Sequence, residues 1–339
     1  MTQNMLAAFV KAPFQFQLRE IPVPEVRDDW VLVKVKACGI CGTDLHTARS
    51  EAKDWQPFGH EVAGVVAQVG PHVSTVKEGD HVLLESGSFC GHCDNCRNGR
   101  VDLCNKAPHI WFNDSMGFAE YILAPKESLV PFDGLDFEVA CVTEPLGVAF
   151  DLVRTADINL GDEVFVLGLG PIGLMSIPLA RMRGAERIYA GDVVGGKRAD
   201  TARLYGANEV HVTGGKQLTE MPFRKGGVDR ALVSAPPRVL PEVMQVMRYG
   251  GIISFIGIEY GAGGAISFDA NNFHFNKLQL RASFASPALY FPYCLQLLKD
   301  GHVDGRAIIS HVMPLEHIEE AMLLLRDQHE QALKIVITA

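Results

Sequence analysis

The chain has 339 residues, enough for about two domains at roughly 150 residues each. Apolar residues make up 47% and charged residues 21%, which excludes intrinsic disorder, since disorder needs low hydrophobicity and high charge. Acidic residues (40) outnumber basic ones (31) for a formal charge of −9, which argues against general binding to nucleic acids or anionic membranes.

No apolar run reaches the roughly 20 residues needed to span a bilayer. Lys11 follows the short apolar patch at 5–10 instead of preceding it, so the start does not read as a secretory leader. A cytoplasmic protein is expected. Disulfides are rare in that compartment, so eight cysteines point to metal or catalysis.

Residues 1–148 read as mainly β. Val31, Val33, Val35 and Ala37 share one face of a strand expected over 31–37. Further strands are expected over 62–69, over 82–84 after the Gly79-Asp80 turn, and over 119–123. Short strands punctuated by Gly and Pro suggest a barrel-like or sandwich-like domain. Residues 89–105 break this rhythm, being rich in Cys, Gly and Asn without a hydrophobic period. From 149 onward strands and helices alternate. Strands are expected over 163–167, 187–190, 229–233, 251–256 and 278–283, with helices over 171–183, 197–205 and 239–248. That alternation implies a parallel sheet with crossover helices. Two helices (288–299 and 315–326) and a strand (334–338) form a tail that returns to complete the first domain.

Cys90, Cys93, Cys96 and Cys104 form C-x2-C-x2-C-x7-C. Four thiolates this close in sequence can surround one ion tetrahedrally, and such four-cysteine sites are closed and structural. Only Arg97 and Arg100 are basic within the knot, which argues against a nucleic-acid zinc ribbon.

Gly168-Leu-Gly170-Pro171-Ile172-Gly173 matches G-x-G-x-x-G directly after an expected strand and at the start of an expected helix. Gly168 allows the tight turn, Gly170 lets a pyrophosphate approach the backbone, and Gly173 lets helix and strand pack closely. Asp192 lies at the end of the next strand, where it can bind a ribose 2′-hydroxyl and repel a 2′-phosphate, favouring NAD. Arg198 lies nearby as a further cofactor contact.

A second metal pattern is more dispersed. Cys41 lies in Gly39-Ile-Cys-Gly-Thr-Asp-Leu-His46, then come Gly59-His60-Glu61 and, on an expected helix, Glu144-Pro145-Leu146. Cys, His and carboxylate are all zinc ligands, but their scatter alone does not select them.

Taken together, G-I-C-G-T-D-x-H, G-H-E, the four-cysteine lobe, E-P-L and G-x-G-x-x-G, in this order, resemble the zinc-dependent medium-chain dehydrogenase/reductase family, in its polyol (sorbitol) and threonine dehydrogenase branch. The resemblance implies a GroES-like β domain from 1–148 and 287–339, carrying the structural zinc lobe at 89–105. A Rossmann domain, doubly wound around a parallel sheet, is inserted at 149–286. It implies two zinc ions per chain, one structural and one catalytic, NAD as cofactor, an active site between the domains, and a homodimer or homotetramer. Catalytic zinc is expected on Cys41 and His60, with Glu61 and Glu144 as the carboxylates beside it; Cys141, one turn before Glu144, is the weaker choice. Thr43 and His46 match the proton relay. Trp55, Trp111 and Phe112 are expected to border the substrate. Cys38 and Cys294 read as core.

The implied reaction is hydride transfer from a secondary alcohol of a polyol, sugar or sugar acid to NAD. A threonine-type or amino-alcohol (including aminocyclitol) dehydrogenase is the alternative. Sorbitol dehydrogenases carry an Arg-Tyr pair soon after the last Rossmann strand, where this chain has Phe284-Ala285-Ser286.

Overall fold

A computed structural model describes residues 3–111, 113–214, 217–259, 261–328 and 330–339. Contacts divide the chain into one unit formed by Met1–Gly147 with Ala285–Ala339 and a second formed by Val148–Phe284. The boundary falls inside the helix Thr143–Thr155. Among the described residues no helix is long and apolar enough to cross a membrane.

The first unit is organised around the strand Trp30–Gly39. It buries Val31, Val33 and Val35 and leaves Lys34 exposed, because alternate side chains of a strand face opposite sides. This strand pairs antiparallel with Glu61–Val69, with Tyr121–Pro125 and with the C-terminal strand Lys334–Thr338. Gly39 therefore stands opposite Glu61 on one side and Val336 on the other. The sheet continues through His81–Leu84 to Leu129–Pro131, and through Lys334–Thr338 to Ile309–Pro314. The core beneath it joins Val31, Val33 and Val35 with Phe58, Phe118, Ile335 and Ile337.

The second unit holds six parallel strands among the described residues. Their order is Glu209–Val212, Arg187–Asp192, Glu163–Leu167, Val228–Val233, Met247–Phe255 and Gln279–Ala282. Glu163–Leu167 is buried along its whole length, as an inner strand of a two-sided parallel sheet must be. The helix Pro171–Met182 follows it with Pro171 in its first turn, where a missing N–H costs nothing. The fold is thus GroES-like plus Rossmann, as the resemblance implied.

Some elements differ from the sequence reading. The apolar patch at 5–10 is part of a strand, Asn4–Lys11, which forms a hairpin ladder with Gln15–Pro22. The helix expected over 239–248 is confined to Leu240–Gln245, because Met247–Phe255 already runs as a strand. The helix expected from 288 begins at Phe291, with Pro292 in its first turn. The strands Glu209–Val212 and Ile309–Pro314 are additions; both are half-buried sheet edges of mixed polarity with no clear apolar pattern.

Candidate active site

Three donor side chains converge beside the end of Trp30–Gly39. Cys41 caps the short helix Gly42–His46, its Sγ accepting the Thr43 backbone N–H at 3.5 Å. Asp44 reaches back from the third helical position, and its Oδ2 accepts the Cys41 backbone N–H at 2.8 Å. This reciprocal box fixes the angle at which Cys41 leaves the strand. The other oxygen of the buried Asp44 carboxylate accepts the Gly59 N–H at 3.2 Å and lies 3.9 Å from His60 Nδ1. One carboxylate therefore ties the Cys41 turn to the His60 segment. Next to His60, Glu61 opens the strand Glu61–Val69.

Cys41, His60 and Glu61 each bring one ligand atom within 4.8 Å of the others. His60 Nδ1 is buried without a hydrogen-bond partner. Burial pushes the Cys41 thiol up to about 11, with the Glu61 charge adding to the effect. Burial also pushes the half-buried Glu144 carboxyl up to about 8, with His60 opposing and the Glu61 and Cys41 charges reinforcing the rise. Brought this close, a thiol, an imidazole and a carboxylate offer a cation a mixed donor set, and the Cys41 thiol would give up its proton to it, because metal binding requires deprotonated ligands. Catalytic zinc takes three protein ligands of these types and keeps one position open, so the donor set fits it.

Glu61 is not free to move. Lys334 Nζ donates to both its oxygens, at 2.6 and 2.7 Å, and to the Ile40 carbonyl at 2.8 Å. The two side chains are 3% and 1% exposed. Burial alone would lower the lysine, but the negative charges of Glu61 and Cys41 raise it, so it stays an ammonium. On the other side Gly39 leaves room for the carboxylate: a Cβ there would fall 2.0 Å from Glu61 Oε2.

In the lobe, all four cysteine sulfurs lie within 4.8 Å of one another. Cys93 Sγ is 3.5 Å from Cys96 Sγ and 3.9 Å from Cys104 Sγ. Backbone N–H groups point at the sulfurs: Cys93 donates to Cys90 Sγ and Cys90 to Cys104 Sγ, both at 3.3 Å. Such bonds favour thiolate, and the Cys96 backbone N–H brings Cys93 down to about 6. The set fits a closed, structural zinc site.

The glycine-rich turn of the second unit divides its labour as its positions imply. Gly168 has φ +95°, and a Cβ there would lie 2.7 Å from Ser234 Oγ. A Cβ on Gly173 would fall 1.8 Å from the Gly168 carbonyl oxygen. A Cβ on Gly170 would meet nothing within 4 Å, and that open space faces the start of the helix Pro171–Met182. Asp192 is buried at the end of its strand. Its Oδ2 accepts the Leu169 N–H at 2.6 Å and Arg198 Nη1 at 3.2 Å, and its Oδ1 accepts the Val194 N–H at 3.0 Å.

Residues 27–134 match the model of the alcohol dehydrogenase GroES-like domain, and residues 171–300 match that of the zinc-binding dehydrogenase. The L-threonine 3-dehydrogenase of Mesorhizobium japonicum is 31% identical over 95% of this chain and 96% of its own. The chain belongs to the zinc-containing medium-chain dehydrogenase/reductase family of alcohol dehydrogenases. The sorbitol dehydrogenase of Bacillus subtilis is 30% identical over 99% of this chain and 97% of its own. The crystal structure of 2R,3R-butanediol dehydrogenase from the same species superposes with a TM-score of 0.83 at 27% identity, covering 99% of each chain. The protein is an NAD(P)-dependent zinc alcohol dehydrogenase acting on CH–OH groups.

Within this dehydrogenase the expected residues fall as follows. Cys41, His60 and Glu61 come together; Glu144 lies outside their 4.8 Å grouping, although the charges of all three act on its carboxyl. Cys141 is fully buried, and its thiol donates to the Glu138 carbonyl at 3.2 Å. Thr43 Oγ1 is 3.6 Å from Cys41 Sγ, and His46 Nε2 is 3.2 Å from Glu51 Oε1. The Trp111 ring packs on His60 with centroids 5.0 Å apart. Trp55 packs against the cluster of Met5, Ala7, Phe9 and Ala119, beneath the Arg19 guanidinium. Phe112 lies outside the described residues. Cys38 and Cys294 are fully buried core.

Sequence reading missed Lys334 and Asp44. A signal for Lys334 was present, since a lone lysine in the apolar run Ala332-Leu-Lys-Ile-Val-Ile337 is a charge that needs a buried partner.

Proposed function

We propose that the dehydrogenase oxidises a secondary alcohol of a polyol, sugar or sugar acid to the ketone, with NAD as hydride acceptor. The observation that carries this reading is Glu144 in the Glu144-Pro145-Leu146 motif, whose charge acts on the Cys41, His60 and Glu61 group, where the family resemblance implies a carboxylate in place of the cysteine of simple alcohol dehydrogenases. An added carboxylate suits a substrate with hydroxyl groups beside the one that reacts, because it can accept their hydrogen bonds. The threonine dehydrogenase relative favours a second reading, an amino alcohol, whose ammonium the same carboxylate would attract.

Cys41 and His60 would hold the catalytic zinc, with Glu61 and Glu144 as the neighbouring carboxylates, and the lobe cysteines would hold a structural one. When bound, zinc supplies Lewis acidity to the alcohol oxygen and the nicotinamide accepts the hydride. Thr43 would hydrogen-bond the substrate hydroxyl and relay its proton, its own hydroxyl proton moving on towards His46 as it accepts the substrate's. His46, beside Glu51, would receive that proton and release it to solvent. Trp111 packs over the His60 ring on one side of the site.

In the second unit, the open space at Gly170 and the helix start would receive the pyrophosphate, with Pro171 and Ile172 leading into the helix. Asp192 would bind the adenosine ribose, with Arg198 beside it, and the carboxylate supports NAD over NADP. A dimer or tetramer is proposed from the free sheet edge at Gln279–Ala282, next to the exposed Phe284.

The test is NADH formation across polyols, sugars, aldonates, amino alcohols and simple alcohols, with NADP run in parallel. Turnover of polyols or sugar acids with NAD is expected. Turnover of amino alcohols alone would promote the second reading, and a preference for simple alcohols would overturn both.

A further inference from the structure

The helix Gly42–His46 does not end at its histidine. It runs on into a π-helical turn, Thr47–Glu51. Such turns are rare inside helices and concentrate at functional sites. Here the cause lies in the backbone bonds. In an α-helical turn the Ala48 carbonyl would accept the N–H of Ala52, four residues on. Instead it accepts the Phe14 N–H at 2.7 Å, and the Ala52 N–H goes to the Thr47 carbonyl at 3.1 Å. The Ala52 carbonyl in turn accepts the Ala12 N–H at 2.8 Å. Ala12 and Phe14 belong to the connection between the strands Asn4–Lys11 and Gln15–Pro22, so the N-terminal hairpin itself widens the turn.

The widening changes which side chains meet. Residues five apart on an α-helix point about 140° away from each other. A π-turn brings residues five apart into line, and His46 Nε2 lies 3.2 Å from Glu51 Oε1. The imidazole is 24% exposed and the carboxylate 51%. An ion pair this open to solvent adds little stability. What the contact supplies is direction. An ionised carboxylate only accepts, so Nε2 carries the hydrogen and, in the neutral ring, Nδ1 carries the lone pair.

We propose that Glu51 is a positioning residue of the proton relay: the π-turn that the hairpin enforces sets it against His46, where it fixes the ring as the Nε2–H tautomer and makes Nδ1 the atom that takes the alcohol's proton. The inference rests on the reading that His46 receives this proton. The proton arriving from the Thr43 side binds Nδ1 to give the imidazolium and is then released from Nδ1 to solvent. Nε2 keeps its hydrogen on Glu51 throughout, so the ring begins each turnover in the same tautomer. Without Glu51 the Nδ1–H tautomer becomes populated, and it offers the relay no lone pair at that atom.

The experiment uses the zinc-loaded chain with nitrogen-15-labelled histidine and the variants His46→Gln, Glu51→Ala, Glu51→Gln, His46→Gln/Glu51→Ala and Ser50→Glu/Glu51→Ala. The last moves the carboxylate to the position that an α-helical turn, but not a π-turn, would bring to His46. Two quantities are read. One is the histidine nitrogen spectrum of the neutral ring, in which the His46 signals are those lost in His46→Gln. The other is the single-turnover rate of NADH formation, with KM, for the best alcohol of the substrate panel. In the wild type, His46 is expected as the Nε2–H tautomer. Glu51→Ala is expected to mix the tautomers and slow turnover about tenfold at unchanged KM, part of the roughly hundredfold or more that a positioned acid–base group supplies. Glu51→Gln, whose amide oxygen also accepts the Nε2 hydrogen, is expected to recover the tautomer and most of the rate. Ser50→Glu/Glu51→Ala is expected to recover neither, and His46→Gln/Glu51→Ala to be no slower than His46→Gln. A wild-type Nδ1–H ring, a Glu51→Ala chain with wild-type tautomer and rate, a double variant slower than His46→Gln, or rescue by the carboxylate at position 50 would overturn the proposal. The spectrum needs no substrate and decides by itself where turnover is too slow to resolve. A His46→Gln chain with the wild-type rate would instead sink the relay reading, and this inference with it.

Discussion

The lobe and the Cys41 site both gather cysteine around a place for a metal, but they are built in opposite ways. The lobe takes all four donors from Cys90 to Cys104 and braces them with backbone N–H groups of the same segment. Beyond its own residues it depends on little. The Cys41 site draws donors from two segments, ties them through Asp44, and braces Glu61 with a lysine from the far end of the chain. A site of the first kind can be read from spacing and serves to hold its own loop in shape. A site of the second kind exists only once three strands have paired, and it can therefore leave a position open for chemistry.

The comparison can be broken first at the lobe. Cys93→Ser removes one of four ligands from a segment without a hydrophobic period. The loss should cost several kcal/mol of folding free energy. At roughly 2–4 °C per kcal/mol the unfolding midpoint should fall by more than about 5 °C in a thermal scan. Below that midpoint NADH formation should persist, because nothing at Cys41 or His60 contacts the lobe sulfurs among the described residues. An inactive but fully folded variant would show that the two sites are not independent.

A finer separation is available in the glycine turn, where stability and binding can be pulled apart one residue from the next. Gly173→Ala drives a methyl to 1.8 Å from a backbone carbonyl, and overpacking of this kind costs about 1–3 kcal/mol. Gly170→Ala meets no protein atom within 4 Å, so its unfolding curve in urea should match that of the wild type. Its NAD affinity, read by nucleotide fluorescence titration, should nevertheless fall, because the methyl occupies the space assigned to the pyrophosphate. Equal effects of the two substitutions on both measurements would remove the distinction.

The same contrast explains what the sequence disclosed. Elements whose burial is decided locally were legible: Glu163–Leu167 and Lys334–Thr338 match the reading residue for residue, and the helix Pro171–Met182 differs by one. The lobe was legible for the same reason. The strands Glu209–Val212 and Ile309–Pro314 were not, because an edge strand buries only part of one face and carries no strong period. The hairpin of Asn4–Lys11 with Gln15–Pro22 was hidden because its second strand is mostly exposed and polar.

At the candidate site, Cys41, His60 and Glu61 were selected by motif resemblance and not by spacing. Periodicity could not reveal Asp44 or Lys334, since each acts on a residue distant in sequence: Asp44 on Gly59, 15 residues on, and Lys334 on Glu61. The packing partners of Trp55 were hidden for a related reason. An aromatic between two ligand motifs can belong to any neighbouring cluster, and this one joined Phe9 and Ala119.

The central claim is that Cys41 and His60 hold the catalytic zinc apart from the lobe. It is tested most directly by measuring zinc per folded chain together with NADH formation in the wild type and in Cys41→Ser. The account predicts that the variant keeps the lobe zinc, loses the other, and drops at least about a hundredfold in turnover, as expected when Lewis-acid assistance worth several kcal/mol is removed. A folded Cys41→Ser chain that retains both zinc ions and wild-type turnover would contradict it.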